Sequence, residues 1–140
     1  MRKSDIQSMG DIARLILENA ADGNNITSSS SATYDKLGQS LRENEFNNNG
    51  KGLVMFYTMK PSENENDKLH NAAGPAVIFA DSSGNYDPEN EANVFYFIYG
   101  EKVDPNSKEY KAAESKASSS AMKQSGDIGD TLPGAEEYGF

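Results

Sequence analysis

The chain has 140 residues, 22 acidic side chains against 13 basic ones, a formal net charge of −9 and no cysteine. A chain of this size forms one domain and can bury roughly two thirds of the surface its unfolded form exposes. The acidic balance argues against binding nucleic-acid backbones or anionic membranes, which needs clustered Lys and Arg, and without cysteine there is no disulfide framework or thiolate zinc site.

In chain order, Ile6, Met9, Ala13, Ile16, Leu17 and Ala20 fall on one helical stripe and predict an amphipathic helix over 3–22. Ser4 and Asp5 are the expected caps at its start, and Asp22-Gly23-Asn24-Asn25 supplies the residues that stop it. Residues 24–50 are expected to be a connecting loop with a short helix. The serine run 28–31 reads as flexible surface, Tyr34, Leu37 and Leu41 share a helical face over about 33–44, and Asn47-Asn48-Asn49-Gly50 ends it. Three β-rich segments follow, near 52–59, 75–80 and 93–99, and the 81–92 joint permits antiparallel pairing of the last two. The expected fold class is therefore α+β, one long N-terminal helix packed on a small antiparallel sheet of three to four strands, spanning residues 1–104. The polar C-terminal region, 105–140, is expected to be partly disordered or weakly helical around 108–122. No stretch reaches the ~18 apolar residues that span a bilayer.

Chemistry-bearing motifs are sparse. The single histidine, His70, lies in the polar stretch Asp67-Lys68-Leu69-His70-Asn71 and reads as a surface residue between strands. No Ser-His-Asp pattern, Walker loop or dinucleotide glycine fingerprint surrounds it, so no enzyme activity is expected. Asp81, Ser83, Asn85, Asp87 and Glu89 alternate through the 81–89 loop, and dense oxygen ligands of this kind suit calcium. The EF-hand pattern fails there, because glycine falls at the fourth position and no glutamate at the twelfth, and the same residues make an ordinary solvated turn. Calcium is the one candidate cofactor. The aromatics Phe56, Tyr57, Phe79, Phe95, Tyr96, Phe97 and Tyr99 sit in strands of an acidic chain and read as core and sheet surface rather than a stacking platform for bases.

The stretch from Arg2-Lys3-Ser4-Asp5 to Asn19-Ala20-Ala21-Asp22-Gly23 resembles the part of a type IV pilin or pseudopilin helix just after its membrane-spanning half, and is similar to pilins of Gram-positive, clostridia-like bacteria. The resemblance implies a structural subunit of a surface filament, serving adhesion, motility or secretion-associated assembly, with Met1 an added start. It implies anchoring in the inner membrane through a preceding apolar half-helix, extracellular exposure after assembly, and other pilin subunits as partners. On that reading the apolar stripe holds the sheet, while Arg2, Lys3, Asp5, Gln7, Asp11, Arg14 and Glu18 are available for contacts between subunits. An alternative is an extracellular binding module using the 81–89 loop as a calcium or ligand site. A third, a small hydrolase using carboxylates and His70, has only that histidine to stand on.

Overall fold

The computed structural model describes residues 5–21, 25–35 and 37–115. Helix α1 (Met9–Ala21) precedes seven strands: β1 (Ile26–Tyr34), β2 (Ser40–Asn48), β3 (Lys51–Met59), β4 (Lys68–Leu69), β5 (Val77–Phe79), β6 (Val94–Ile98) and β7 (Glu101–Val103). They form one antiparallel sheet in the order β1-β2-β3-β5-β6-β7, with β4 also paired to β3. The expectation of a long helix on a small sheet is thus corrected. Among the described residues the regular structure is mostly sheet, with a 13-residue helix, a second short one over residues 108–115 and a 3-10 turn at Glu91–Asn93.

The helix starts six residues later than expected because Ser8, not Ser4 or Asp5, caps it. The Ser8 hydroxyl accepts from the Asp11 N–H at 3.4 Å, and the Asp11 carboxylate accepts in return from the Ser8 and Gln7 amides at 3.0 and 2.8 Å. Donors that the first turn would leave orphaned are satisfied reciprocally in this way. The buried stripe is also turned relative to the expected one. Ile6, Met9 and Ile16 do face the sheet, but Ile12 and Leu15 join them, whereas Ala13, Leu17 and Ala20 are exposed.

The 24–50 region holds the largest correction, since β1 and β2 replace the expected loop and short helix. Two turn signals explain the hairpins. Asp35 and Gly38 close a three-residue loop, with the Gly38 N–H on the Asp35 carbonyl at 3.0 Å, Gly38 at φ 78° and the Asp35 N–H on Gln39 O at 3.1 Å. Asn49 and Gly50, at φ 55° and 85°, make the tight two-residue turn between β2 and β3. What was read as a helix stop is a hairpin turn. Hydroxyls of β1 are tied across the pair, Ser31 Oγ to Glu43 at 3.0 Å and Thr27 Oγ1 to Asn47 at 2.6 Å.

The three expected strands are present as β3, β5 and β6, the latter two shorter than read, and β5 pairs β6 antiparallel. β4 and β5 are two pieces of one line of chain. The Tyr57 carbonyl accepts from the His70 N–H at 3.1 Å and its N–H donates to Ala76 O at 2.8 Å, so residues 71–75 loop out of a single partner strand. The core lies between α1 and the sheet centre, where Ile6 and Ile12 meet Val54, Phe56, Leu69, Ala76, Val77, Phe79 and Phe97. Burying each isoleucine contributes about 1.5–3 kcal/mol before its ordering cost. Within the C-terminal region expected to be partly disordered or weakly helical, residues 108–115 form a short helix, and it is docked rather than loose, because Tyr110 is buried and stands edge-on to Tyr96 at 5.2 Å. Residues 116–140 lie outside the described residues.

Two glycines on either side of Lys51 separate two kinds of constraint. Gly50 has open space around it and is held to glycine only by its positive φ, whereas a Cβ on Gly52 would stand 2.7 Å from Gly84 O and from the Tyr86 ring. Gly50→Ala is expected to cost about 1 kcal/mol and Gly52→Ala about 2 kcal/mol or more. Urea denaturation of both variants checks the ranking, and equal losses would contradict it.

Candidate functional site

The most organised polar cluster among the described residues lies where three chain reversals meet at one end of the sheet. Asp35 comes from the β1–β2 turn, His70 from the end of β4, and Tyr99 from the β6–β7 turn. His70 was expected on the surface and is instead 1% exposed, with Asp35 buried beside it. Its Nε2 is 3.1 Å from Asp35 Oδ2, and its Nδ1 is 3.1 Å from the Tyr99 backbone nitrogen. A backbone N–H can only donate, so Nδ1 must accept, and Nε2 therefore carries the proton it gives to Asp35. The other carboxylate oxygen of Asp35 accepts from the Leu37 and Gln39 amides, both at 3.0 Å, which fixes the turn. The Tyr99 ring stacks on the imidazole with centroids 4.1 Å apart, and its hydroxyl reaches Gln39 at 3.0 Å. Tyr99 sits at φ 47°. That backbone region is strained for a bulky residue, and the contacts around it hold it there.

The cluster has the outline of a catalytic acid–base pair, yet its chemistry is spent. A general base needs a lone pair facing substrate, and the single lone pair of neutral His70 is occupied by a backbone amide. Burial lowers the His70 pKa from its ordinary 6.5, and this outweighs the hydrogen bond and charge of Asp35, which act to raise it. The imidazole is held neutral, as the two hydrogen bonds require. What the arrangement does is join three turns that sequence separates widely.

Comparison with protein-family models, with curated proteins and with solved structures returned no match to this chain. The functional reading therefore rests on the residues themselves.

The structure places the other candidate residues as follows. Along the 81–89 loop, Asp81 Oδ1 accepts from the Ser83 and Asn85 amides at 2.9 and 3.0 Å, and Asp87 Oδ1 from the Glu89 amide at 3.0 Å. These carboxylates fold the loop, as Asx turns do. Among the described residues no three His, Asp or Glu side chains gather to hold a metal ion. Of the residues expected to contact neighbouring subunits, Arg2 and Lys3 lie outside the described residues. Asp11 is the partner of the Ser8 cap in the first helical turn, and the Gln7 amide foremost, then the Ser8 groups and Arg14, hold its carboxyl below the usual value against some desolvation. Arg14 lies 3.7 Å from Asp11, and Asp5, Gln7 and Glu18 are exposed. Sequence reasoning missed Asp35 entirely. The signal that could have found it is Asp35-Lys36-Leu37-Gly38, an Asp-x-x-Gly turn, which was absorbed into the supposed short helix.

A groove of about 740 Å³ runs past the end of the sheet's covered face, lined by Ser30, Arg42, Thr58, Lys60 and Asp67 among others. Thr58 is 1% exposed and its hydroxyl is buried without a hydrogen-bond partner. Replacing that hydroxyl by a methyl removes a desolvation cost, so Thr58→Val is expected to stabilise the fold by about 1 kcal/mol. A destabilised variant in urea titration would show that the hydroxyl has a bond it needs.

Asp35→Asn places an amide donor against the Nε2–H, and His70→Ala strands both the Asp35 carboxylate and the Tyr99 N–H. Losses of about 3 kcal/mol or more are expected for each. With the folded pKa of His70 below the unfolded value of 6.5, the unfolded state binds the extra proton. The contribution of His70 is present in full above pH 6.5 and is lost as pH falls below it toward the folded pKa. Urea midpoints measured from pH 7.5 to 5.5 should decline in the native chain, and a flat profile would contradict the assignment.

Proposed function

We propose that the chain is a structural subunit of a type IV pilus-like surface filament, anchored in a membrane before assembly and acting through its surfaces rather than by catalysis. The outer face of α1 carries this reading. Leu17 is 68% exposed on the side away from the sheet, and Ala13 and Ala20, also exposed, flank it. A helix that only had to cover its own sheet would place polar residues there. A leucine between small side chains instead fits a neighbouring helix, because ridges of large residues seat against positions where small ones allow close approach.

The likeness of residues 2–23 to the segment that follows a pilin's membrane half supports the same reading. No helix among the described residues is long and apolar enough to cross a membrane. On this proposal the anchor is a run of about 20 apolar residues of the kind the family places before such a segment. The buried His70 pair and the folded 81–89 loop are the framework that presents the helix and sheet surfaces.

Leu17→Glu, introduced into the full-length protein in its own cells, tests the proposal. Surface filaments labelled by antibody to this domain should disappear, while the stability of the purified domain shifts by no more than about 0.5 kcal/mol. Normal filaments in that variant, or no filaments in unaltered cells that expose the domain, would remove the reading.

A further inference from the structure

We propose that β1 pairs antiparallel with β1 of a second copy of this chain, the two strands centred on Ser30, so that two sheets join into one. The observation is an unprotected edge. Among the described residues β1 has a strand on one side only, β2, and its nine-residue register against β2 runs without a bulge. It contains no Lys, Arg, Asp, Glu or Pro. Natural sheets guard long edges with charges, prolines, bulges or brevity. The opposite edge of this sheet is so guarded, since β7 has three residues, Glu101 and Lys102 among them.

The backbone sets which residues face outward. The Asp35 N–H bonds to Gln39 O, so odd-numbered residues of β1 point their amides toward β2 and even-numbered ones point theirs away. Ile26, Ser28, Ser30, Ala32 and Tyr34 thus offer a row of outward donors and acceptors. An antiparallel partner must match these even positions, and the sequence mirrors itself about Ser30. That register sets Ser30 opposite Ser30, Ser28 opposite Ala32 and Ile26 opposite Tyr34, with Ser29 opposite Ser31 and Thr27 opposite Thr33 between them. Threonine pairs and a β-branched residue beside an aromatic are favourable cross-strand neighbours. Tyr34, 66% exposed, gains the Ile26 of the other copy as a cover.

Charge selects the same occupant. A chain of net charge −9 repels its copies, but this strand is neutral. Two carboxylates that face it from β2, Glu43 and Glu45, are held by the hydroxyls of Ser31 and Ser29 at 3.0 and 3.5 Å, and Asp35 at its end is tied to His70. In the joined sheet the two β2 strands stand three strand spacings apart, about 14 Å, beyond the screening length of about 8 Å at physiological salt. The pairing does not depend on the filament reading, and either can fail alone.

Sedimentation of the purified chain from micromolar to millimolar concentration should show a monomer–dimer equilibrium. Ser30→Pro removes an outward amide that β2 does not use, so it should leave a monomer whose circular dichroism keeps its strand signal. Ala32→Lys, which places a charge on the edge, should do the same if the proline disturbs folding. With no native cysteine present, a short thiol cross-linker should couple Ser30→Cys to itself. Ile26→Cys should not couple to itself but should couple to Tyr34→Cys when the two are mixed. A chain that stays monomeric at millimolar concentration, a dimer that survives both edge variants, or Ile26→Cys coupling to itself would overturn the proposal. So would protection of the β1 amides that appears only when a different protein supplies the strand.

Discussion

Strand β3 has to be covered on both faces, and most of the fold follows from that constraint. Its side chains alternate, so Val54, Phe56 and Thr58 point one way and Met55, Tyr57 and Met59 the other, yet nearly all are apolar or aromatic. Helix α1 covers the first face with Ile6 and Ile12. On the other face the short helix over residues 108–115 packs at β6, through Tyr110 on Tyr96, and over β3 the cover comes from the chain's own loops. Residues 71–75 leave the strand line between β4 and β5, and together with Tyr86 and Pro88 they surround Met55, Tyr57 and Ile78. The Tyr86 hydroxyl, which donates to Phe46 O at 3.0 Å, ties the second of these loops to β2. An interrupted strand is thus the physical answer to a two-sided apolar strand in a chain of this length.

That interruption also creates the His70 cluster. Where the chain leaves the strand line after His70, the imidazole sits against the β1–β2 and β6–β7 turns at the same end of the sheet. A meander alone joins these turns only through successive strands, and its edge hairpin β1–β2 would otherwise be held by β3 alone. Asp35 to His70 to Tyr99 supplies a direct link across the sheet end, between residues 35 and 99 of the chain. A buried pair of this sort contributes less through net attraction than through the cost of breaking it. It therefore specifies one packing of the three turns more than it adds stability. The strained backbone at Tyr99 is consistent with that role, since the cluster has to hold an unfavourable φ as well as its own geometry.

Legibility of the sequence followed how local each signal was. The strands of β3, β5 and β6 were readable because β-branched and aromatic runs such as 53–59 need little context. The N-terminal helix was readable as a helix, but its boundary and its buried face were not. Ala13, Leu17 and Ala20 are apolar and still face outward, so periodicity drew a stripe that packing does not use. β1 failed for the opposite reason. Serine has low strand propensity, and only pairing to β2 with hydroxyls bonded to Glu43 and Glu45 makes 28–31 extended, a tertiary effect that overrides local preference. The Asn49-Gly50 turn was in plain view, but a two-residue turn can be read only when strands are recognised on both sides. The tie between Asp35 and His70, 35 residues apart, has no local signature at all.

The same distinction bears on where function can reside. His70 and the aspartates Asp35, Asp81 and Asp87 are committed to holding turns, each through hydrogen bonds that a substrate would have to displace. What the fold leaves uncommitted is geometric. Leu17 and Tyr34 are large apolar side chains exposed on different elements, and β1 carries a row of outward backbone groups that another strand can pair with in register. A small acidic chain gains solubility from its charge, which opposes unspecific association through either surface. Neutral strips within such a chain are therefore selective, because only a partner that matches their shape and backbone register gains enough to overcome the surrounding repulsion. On the two proposals the helix face and the serine edge suit different partners, a helix in one case and a strand in the other, and their shape and backbone hydrogen bonding keep the two from being interchangeable.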